Sequence, residues 1–530
     1  MVFIHKKTRK NNKIKGGAAI AAGGFGCVFK PALKCKKNTV RHDGVSKVLI
    51  TKYANDEMAE IHKIKSIINK IPNYNDYFIG LDATACELDS LTANDLIKFD
   101  IKCENLIKKG IRAANINSNL DKVKSINLPY GGLELQTFLS EKKLNSDNFV
   151  KLNNALIKLL KNGVVPMNKL KLFHFDLKGS NILINDDFKA SVIDWGLSGI
   201  QKNNEIPDIV KSRPFMFNMP FSICLFDHEF KPFIKFYIEN TLTSLALTKP
   251  VSLNEIRQEI KMFMIKWIYE FMDKGGKGHY DYISSMIKKL LFTDIANFPE
   301  RISLDNVDHA KLNNIITLEF ENEYMVDELT EIVIQYTNLN GTFNDEAYFN
   351  NAFKHNADVW GFLTCYTDDL IRVLLDYDAN YLTYTQSVEL LYAIKNIAHK
   401  YMFNAKHAIH PIDIDALARD LKQLNYIVGG SLHSHGIISI TPPSINKSFI
   451  SNHHVINIPP TPPTPPHIIV ISSSKSKSRS KSKSKQTEPN QIVKKSRKQR
   501  VTCDEPKKIR CRTIGKICNE LTGRCNNPKK

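Results

Sequence analysis

The stretch "FHFDLKGSNILIND" at 173–186, followed by "SVIDWG" at 191–196, constrains this chain more than any other part of it. It sets an acid, a lysine and an asparagine at Asp176, Lys178 and Asn181. A second acid, Asp194, lies 18 residues beyond the first. A hydroxyl that is to attack a phosphoryl group needs a carboxylate to orient it and take its proton. The migrating charge needs a cation, and the nucleotide phosphates need metal ligands. Asp176 suits the first task and Lys178 the second, while Asn181 and Asp194 suit the third as magnesium ligands. "SVIDWG" also reads as a strand leading into a turn. Two motifs in this order and at this separation are a poor match for chance polar residues in a loop.

Upstream, "AAGGFGCV" reads as strand, glycine turn, strand. Gly23, Gly24 and Gly26 would let the backbone close over phosphates, with Ala21 where a further glycine is usual and Val28 placed to cover an adenine ring. Lys47 sits in the apolar strand "VSKVLI", 21 residues after Gly26. An inward-pointing lysine needs an anion, because an unpaired buried charge is costly. Nucleotide phosphates and a helix carboxylate would both serve. Glu60 is the first choice for that carboxylate, because Ile64, Ile67 and Ile68 follow it on an apolar face; Glu57 is the alternative. His174 is assigned to packing and loop support, since Asp176 already fills the position of the base.

The order "GGFGCV", "VSKVL", Glu60, "HFDLKGSN", "IDWG" resembles the eukaryotic-type protein kinases. "LPYGGLEL" is similar to the inter-lobe hinge of haspin-like kinases, and "NADVWGFL" to the start of the central helix of the kinase C-lobe. The nearest flavour is that of serine/threonine kinases encoded by large DNA viruses, of the iridovirus type. The resemblance implies an α+β, bilobal fold over 16–429: a small β-rich N-lobe at about 16–126 and a helical C-lobe at about 127–429. It implies ATP and Mg2+ as cofactors, protein hydroxyls as acceptors, and Asp358 bonded to the catalytic-loop backbone with Trp360 packed beneath. Four departures stand out, of which the one at Phe175 bears on control. Ala21 replaces a glycine. Phe175 replaces an arginine that in many kinases pairs with a phosphorylated loop, Trp195 replaces a phenylalanine, and the A-P-E triplet is missing near "RPFMFNMPFS". Residues 222–355 stand as a largely helical insertion. A pseudokinase scaffold and a small-molecule phosphotransferase are the competing classes.

Charge separates the ends from the body. The net charge is +20 over 530 residues. Residues 471–530 hold 19 Lys/Arg against 4 Asp/Glu, residues 1–15 hold 6 Lys/Arg and no acid, and the rest sums to −1. Basic tails around a neutral body point to an anionic partner such as nucleic acid, bound through the tails. The linker 430–500 is rich in Pro and then in Ser/Lys, and is expected to be disordered. No apolar run is long enough to span a membrane, and no signal-peptide core follows the basic N-terminus. The viral resemblance adds the expectation of a location in the host cell cytoplasm or the virion.

Six cysteines, at 27, 35, 86, 103, 224 and 365, are scattered as in a reduced intracellular enzyme. Four more crowd 501–530 at spacings of 8, 7 and 7. Zinc sites usually include a closer pair. "GKICNELTGRC" instead resembles a two-cysteine adaptor fused to viral kinases and peptidases, which implies docking to a viral or host partner.

Overall fold

Strand β3 (Gly44–Ile50) runs into helix α1 (Thr51–Ile68) without a loop. "GVSKVLI" is β-branched and apolar enough to pair on both edges. In α1 the buried positions Ala54, Ile61, Ile64 and Ile68 recur at helical spacing and face the sheet. The computed structural model describes residues 17–22, 26–36, 44–242, 251–292, 324–338, 340–376, 381–429, 517–519 and 524–526. Gly23 and Gly24, the linker, and most of the two terminal segments lie outside the described residues. By its internal contacts the chain divides into a unit Met1–Ile445 and a unit Asn446–Lys530.

The first unit is a mixed α/β structure with an antiparallel sheet in its N-terminal region. With β1 (Ala18–Ala22), β2 (Gly26–Lys30), β4 (Thr84–Cys86) and β5 (Val123–Pro129), the order is β1-β2-β3-β5-β4. One face of the sheet receives α1. The other is covered by the segment between β4 and β5, whose Leu88, Leu91, Phe99, Leu106, Ile111 and Ile116 pack against Ala19, Phe29 and Val48. Their spacing follows no single period, because two four-residue helices (Phe99–Lys102 and Glu104–Ile107) and several turns carry them. Disulfides Cys27–Cys103 and Cys35–Cys86 cross-link the same layer. Four of the six scattered cysteines are therefore paired, against the expectation of reduced thiols. Partners 76 and 51 residues apart meet only because the sheet folds over them. Cys224 and Cys365 are free and buried.

The remainder of the first unit is largely helical. Helix Ser146–Leu159 is capped by Asn145, whose side chain accepts from the Asn148 N–H, rather than by the Ser/Asp pair that follows. It continues past Gly163 through a π turn, Leu160–Val164, into Val165–Lys169. Gly163 serves close approach: a Cβ there would stand 2.9 Å from Cβ of Tyr77. Helix Lys354–Thr364 is buried continuously from Asn356 to Thr364. The described parts of 222–355 are mainly helical, including Phe230–Tyr237, Leu253–Gly275, Tyr280–Phe292 and Asp327–Tyr336. No helix among the described residues is long and apolar enough to cross a membrane. In the second unit Ile517–Asn519 and Arg524–Asn526 pair antiparallel, with Cys518 directly opposite Cys525.

Candidate active site

Cross-strand register puts three of the sequence-selected positions in line. Ala21 pairs with Val28, Val28 with Lys47, and Lys47 with Ile126. Directly opposed residues share a face, so the lysine shares its face with two small apolar side chains and one buried isoleucine. Gly26 is needed for contact rather than for conformation: a Cβ there would lie 2.1 Å from the Val48 carbonyl oxygen. Lys47 Nζ donates to both carboxylate oxygens of Glu57, at 2.7 and 2.8 Å.

This corrects the choice of Glu60. Lys47 lies three strand residues before the β3–α1 junction, about 10 Å at strand rise. Glu57 lies six helix residues past Thr51, about 9 Å at helix rise. With no loop between them, α1 folds back over the sheet and the two distances match; Glu60 overshoots by a turn. Glu60 is instead half-buried, and burial pushes its carboxyl above the ordinary range, with the nearby charges of Glu57 and Asp194 adding to the rise and that of Lys63 opposing it.

The second cluster is built on the loop after the short strand Leu172–Phe173. Asp358, fully buried in the helix Lys354–Thr364, accepts from the backbone N–H of His174 at 2.9 Å and of Phe175 at 2.7 Å. It also accepts from Asn168 Nδ2 at 2.7 Å. Gly361, one turn further along the helix, admits the loop: a Cβ there would stand 2.6 Å from the Leu177 carbonyl oxygen. His174 Nδ1 accepts from the Asp176 N–H at 3.2 Å, which leaves Nε2 to donate to the Ile193 carbonyl at 3.0 Å. Burial lowers the imidazole pKa, so His174 is a neutral strut. Trp195 packs on His174 and Phe78 at 5.1 and 5.7 Å and occupies an apolar slot. Trp360 donates from Nε1 to the Phe217 carbonyl at 3.2 Å.

Asp176 is the hub. Lys178 Nζ lies 3.1 and 2.9 Å from its two oxygens, and Asn181 Nδ2 donates to Oδ2 at 3.0 Å and to the main-chain oxygen at 2.7 Å. Burial alone would raise its pKa; the bonds from Lys178 and Asn218 and the charge of Lys178 outweigh it, and the carboxyl sits below its ordinary value. It is a carboxylate at neutral pH. Asp194 is exposed, at φ 66°, in the left-handed region. Its charge adds to the fields at His174 and Glu60.

Two residues in contact with this site escape the sequence motifs. Asn218 Nδ2 donates to Asp176 Oδ1 at 2.9 Å and to the Leu177 carbonyl at 3.1 Å. Arg213 is buried and donates to the carbonyl oxygens of Phe175 and Leu197. Phe175 itself, at φ 57°, is fully buried beside Phe173 and Phe353. A bulky residue in the left-handed region costs about 1–3 kcal/mol, offset here by the bonds from its N–H to Asp358 and from Arg213 to its carbonyl. The Arg213 guanidinium thus reaches the backbone of Phe175 from 38 residues downstream. The only hint in the sequence was the irregular "RPFMFNMPFS", which carries both residues.

Among the described residues no group of three or more His, Cys, Asp or Glu side chains is placed to hold a metal. The oxygen donors present are Asp194 and the side-chain oxygen of Asn181, whose nitrogen is committed to Asp176. No protein-family model matches the chain, and no curated protein matches it significantly.

Proposed function

We propose that the chain is an ATP- and Mg2+-dependent serine/threonine protein kinase with a bilobal kinase-like fold, virus-encoded by resemblance. The observation that carries this reading is the bond set of Asp176: a low-pKa carboxylate held by Lys178, Asn181 and Asn218 next to the exposed Asp194. The residues suit a magnesium ion shared with a nucleotide, since Mg2+ takes one or two protein oxygen ligands and completes its shell with phosphates and water. Asn181 and Asp194 would hold it. Bound MgATP supplies the γ-phosphoryl group and the cation that offsets its charge.

The chain's own residues do the rest. Asp176 orients an acceptor hydroxyl and takes its proton, which its carboxylate state allows. Lys178, already within hydrogen-bond distance of Asp176, offsets charge on the transferred group. Lys47, fixed by Glu57, faces the nucleotide phosphates, and Ala21 and Val28 give the base an apolar cover. The Lys47–Glu57 pair and the Asp176–Lys178 pair are the two features that a non-catalytic scaffold would not need.

The test is transfer of labelled phosphate from ATP to basic and acidic protein substrates. Asp176→Asn and Asp194→Asn should each abolish Mg2+-dependent transfer while the circular dichroism spectrum and melting temperature stay close to the parent's. Equal turnover in either variant and the parent would sink the mechanism.

A further inference from the structure

The segment that carries Arg213 and Asn218 is gripped by the helical insertion. The ring of Phe215 lies 5.0 Å from Phe271 and 6.1 Å from Tyr280, on the two helices Leu253–Gly275 and Tyr280–Phe292. The turn between those helices meets its backbone: His279 N–H donates to the Phe215 carbonyl at 2.7 Å. Gly278, at φ 54°, passes so close that a Cβ would stand 2.4 Å from the same oxygen. Phe217 sits between His279 and Tyr282, with ring centroids 5.5 and 5.0 Å away. One residue later Asn218 bonds Asp176. His279 also lies close enough to Lys178 and Asp176 to feel both charges.

We propose that the insertion is the built-in activator of this site: its turn 276–282 holds segment 213–218 in the conformation that presents Asn218 to Asp176. This rests on the kinase reading for its functional meaning, but the mechanical coupling stands apart from it. Segments of this kind need an ordering contact, and phosphorylation commonly supplies one through new arginine pairs. Here Arg213 is already buried on two main-chain carbonyls, and aromatic packing supplies the rest. Phe217 and His279 are positioning residues, acting on Asp176 through Asn218.

The experiment uses the full chain and four variants: Phe217→Ala, its conservative counterpart Phe217→Leu, Gly278→Val and, as a control on the exposed side of the same insertion, Met262→Ala. Hydrogen exchange of peptides covering 213–220 is read without nucleotide. Steady-state kinetics are read with MgATP. Phe217→Ala and Gly278→Val should each speed exchange in 213–220 at least tenfold. They should lower kcat about tenfold with KM for ATP changed less than twofold. Phe217→Leu should recover most of kcat, and Met262→Ala should change nothing. Unchanged exchange in both site variants would overturn the coupling. Faster exchange with kcat unmoved would overturn the activating role. A parent with no phosphoryl transfer would defeat the kinase reading and the activating role with it, while the exchange data would still decide the coupling.

Discussion

Replacing Glu57 by Gln tests which carboxylate serves Lys47. The pair is about a fifth to a quarter exposed, with side-chain exposures of 21% and 25% and both oxygens within hydrogen-bond distance. Two unit charges about 3 Å apart at an effective dielectric of about 20 attract by about 5 kcal/mol. Desolvation offsets most of that, and partly buried pairs fall between the small values of exposed pairs and the 3–5 kcal/mol lost when a buried one is broken. Glutamine keeps one acceptor oxygen, so a net loss of about 1–3 kcal/mol follows. Lys47 must then be ordered by the nucleotide alone, which costs about 1 kcal/mol of side-chain entropy. Expressed as catalysis, this is about a 10- to 100-fold fall in kcat/KM for ATP. Glu60→Gln should stay within about threefold of the parent, since no cation is bonded to it. Burial raises the Glu60 pKa, so its contribution to stability is present below the unfolded value of about 4.3 and is lost as pH rises through the folded value. Glu60→Gln should therefore match the parent near pH 4 and exceed it in stability near pH 7. The assays are MgATP titrations of the purified variants and urea unfolding at both pH values. A larger kinetic loss in Glu60→Gln than in Glu57→Gln would refute the assignment and the distance argument behind it.

Asp358→Ala removes the acceptor of three hydrogen bonds and leaves buried donors unpaired; urea unfolding should show a loss of about 3–5 kcal/mol, and a loss under 1 kcal/mol would contradict the strut role. Burial lowers the His174 pKa, so its contribution is whole above the unfolded value of about 6.5 and is lost as pH falls through the lower folded value. Stability measured from pH 7 to 5 should drop more steeply in the parent than in His174→Asn. Peptide mapping without reductant should recover Cys27 linked to Cys103 and Cys35 linked to Cys86, and reduction should lower stability by about 2–4 kcal/mol per bridge. Free thiols at all four positions would remove both bridges from the account. Truncation after residue 470 should abolish binding to nucleic acid that weakens steeply between 50 and 200 mM salt; unchanged binding would show that the tail's charge of +15 is not its source.

What the sequence determined by itself is the local chemistry. Asp176, Lys178 and Asn181 lie within six residues, and a short loop brings them together wherever it goes. Lys47 in an apolar strand, and the stripe Ile61, Ile64, Ile68 on the following helix, are period-2 and period-3.6 patterns that burial enforces. Even the link from Asp358 to the loop, 184 residues away at His174, was expected, though only through the likeness of "NADVWGFL" to a kinase helix. Tertiary structure decided the rest. The choice of Glu57 over Glu60 turned on a missing loop, a matter of one helical turn that periodicity cannot resolve. The disulfides, the apolar cap on the sheet, and the arrival of Arg213 and Asn218 at the site depend on segments far apart in the chain. For such contacts there is no spacing to read. They exist because closing the sheet and packing the insertion bring together surfaces whose partners are set by shape and burial rather than by neighbouring residues.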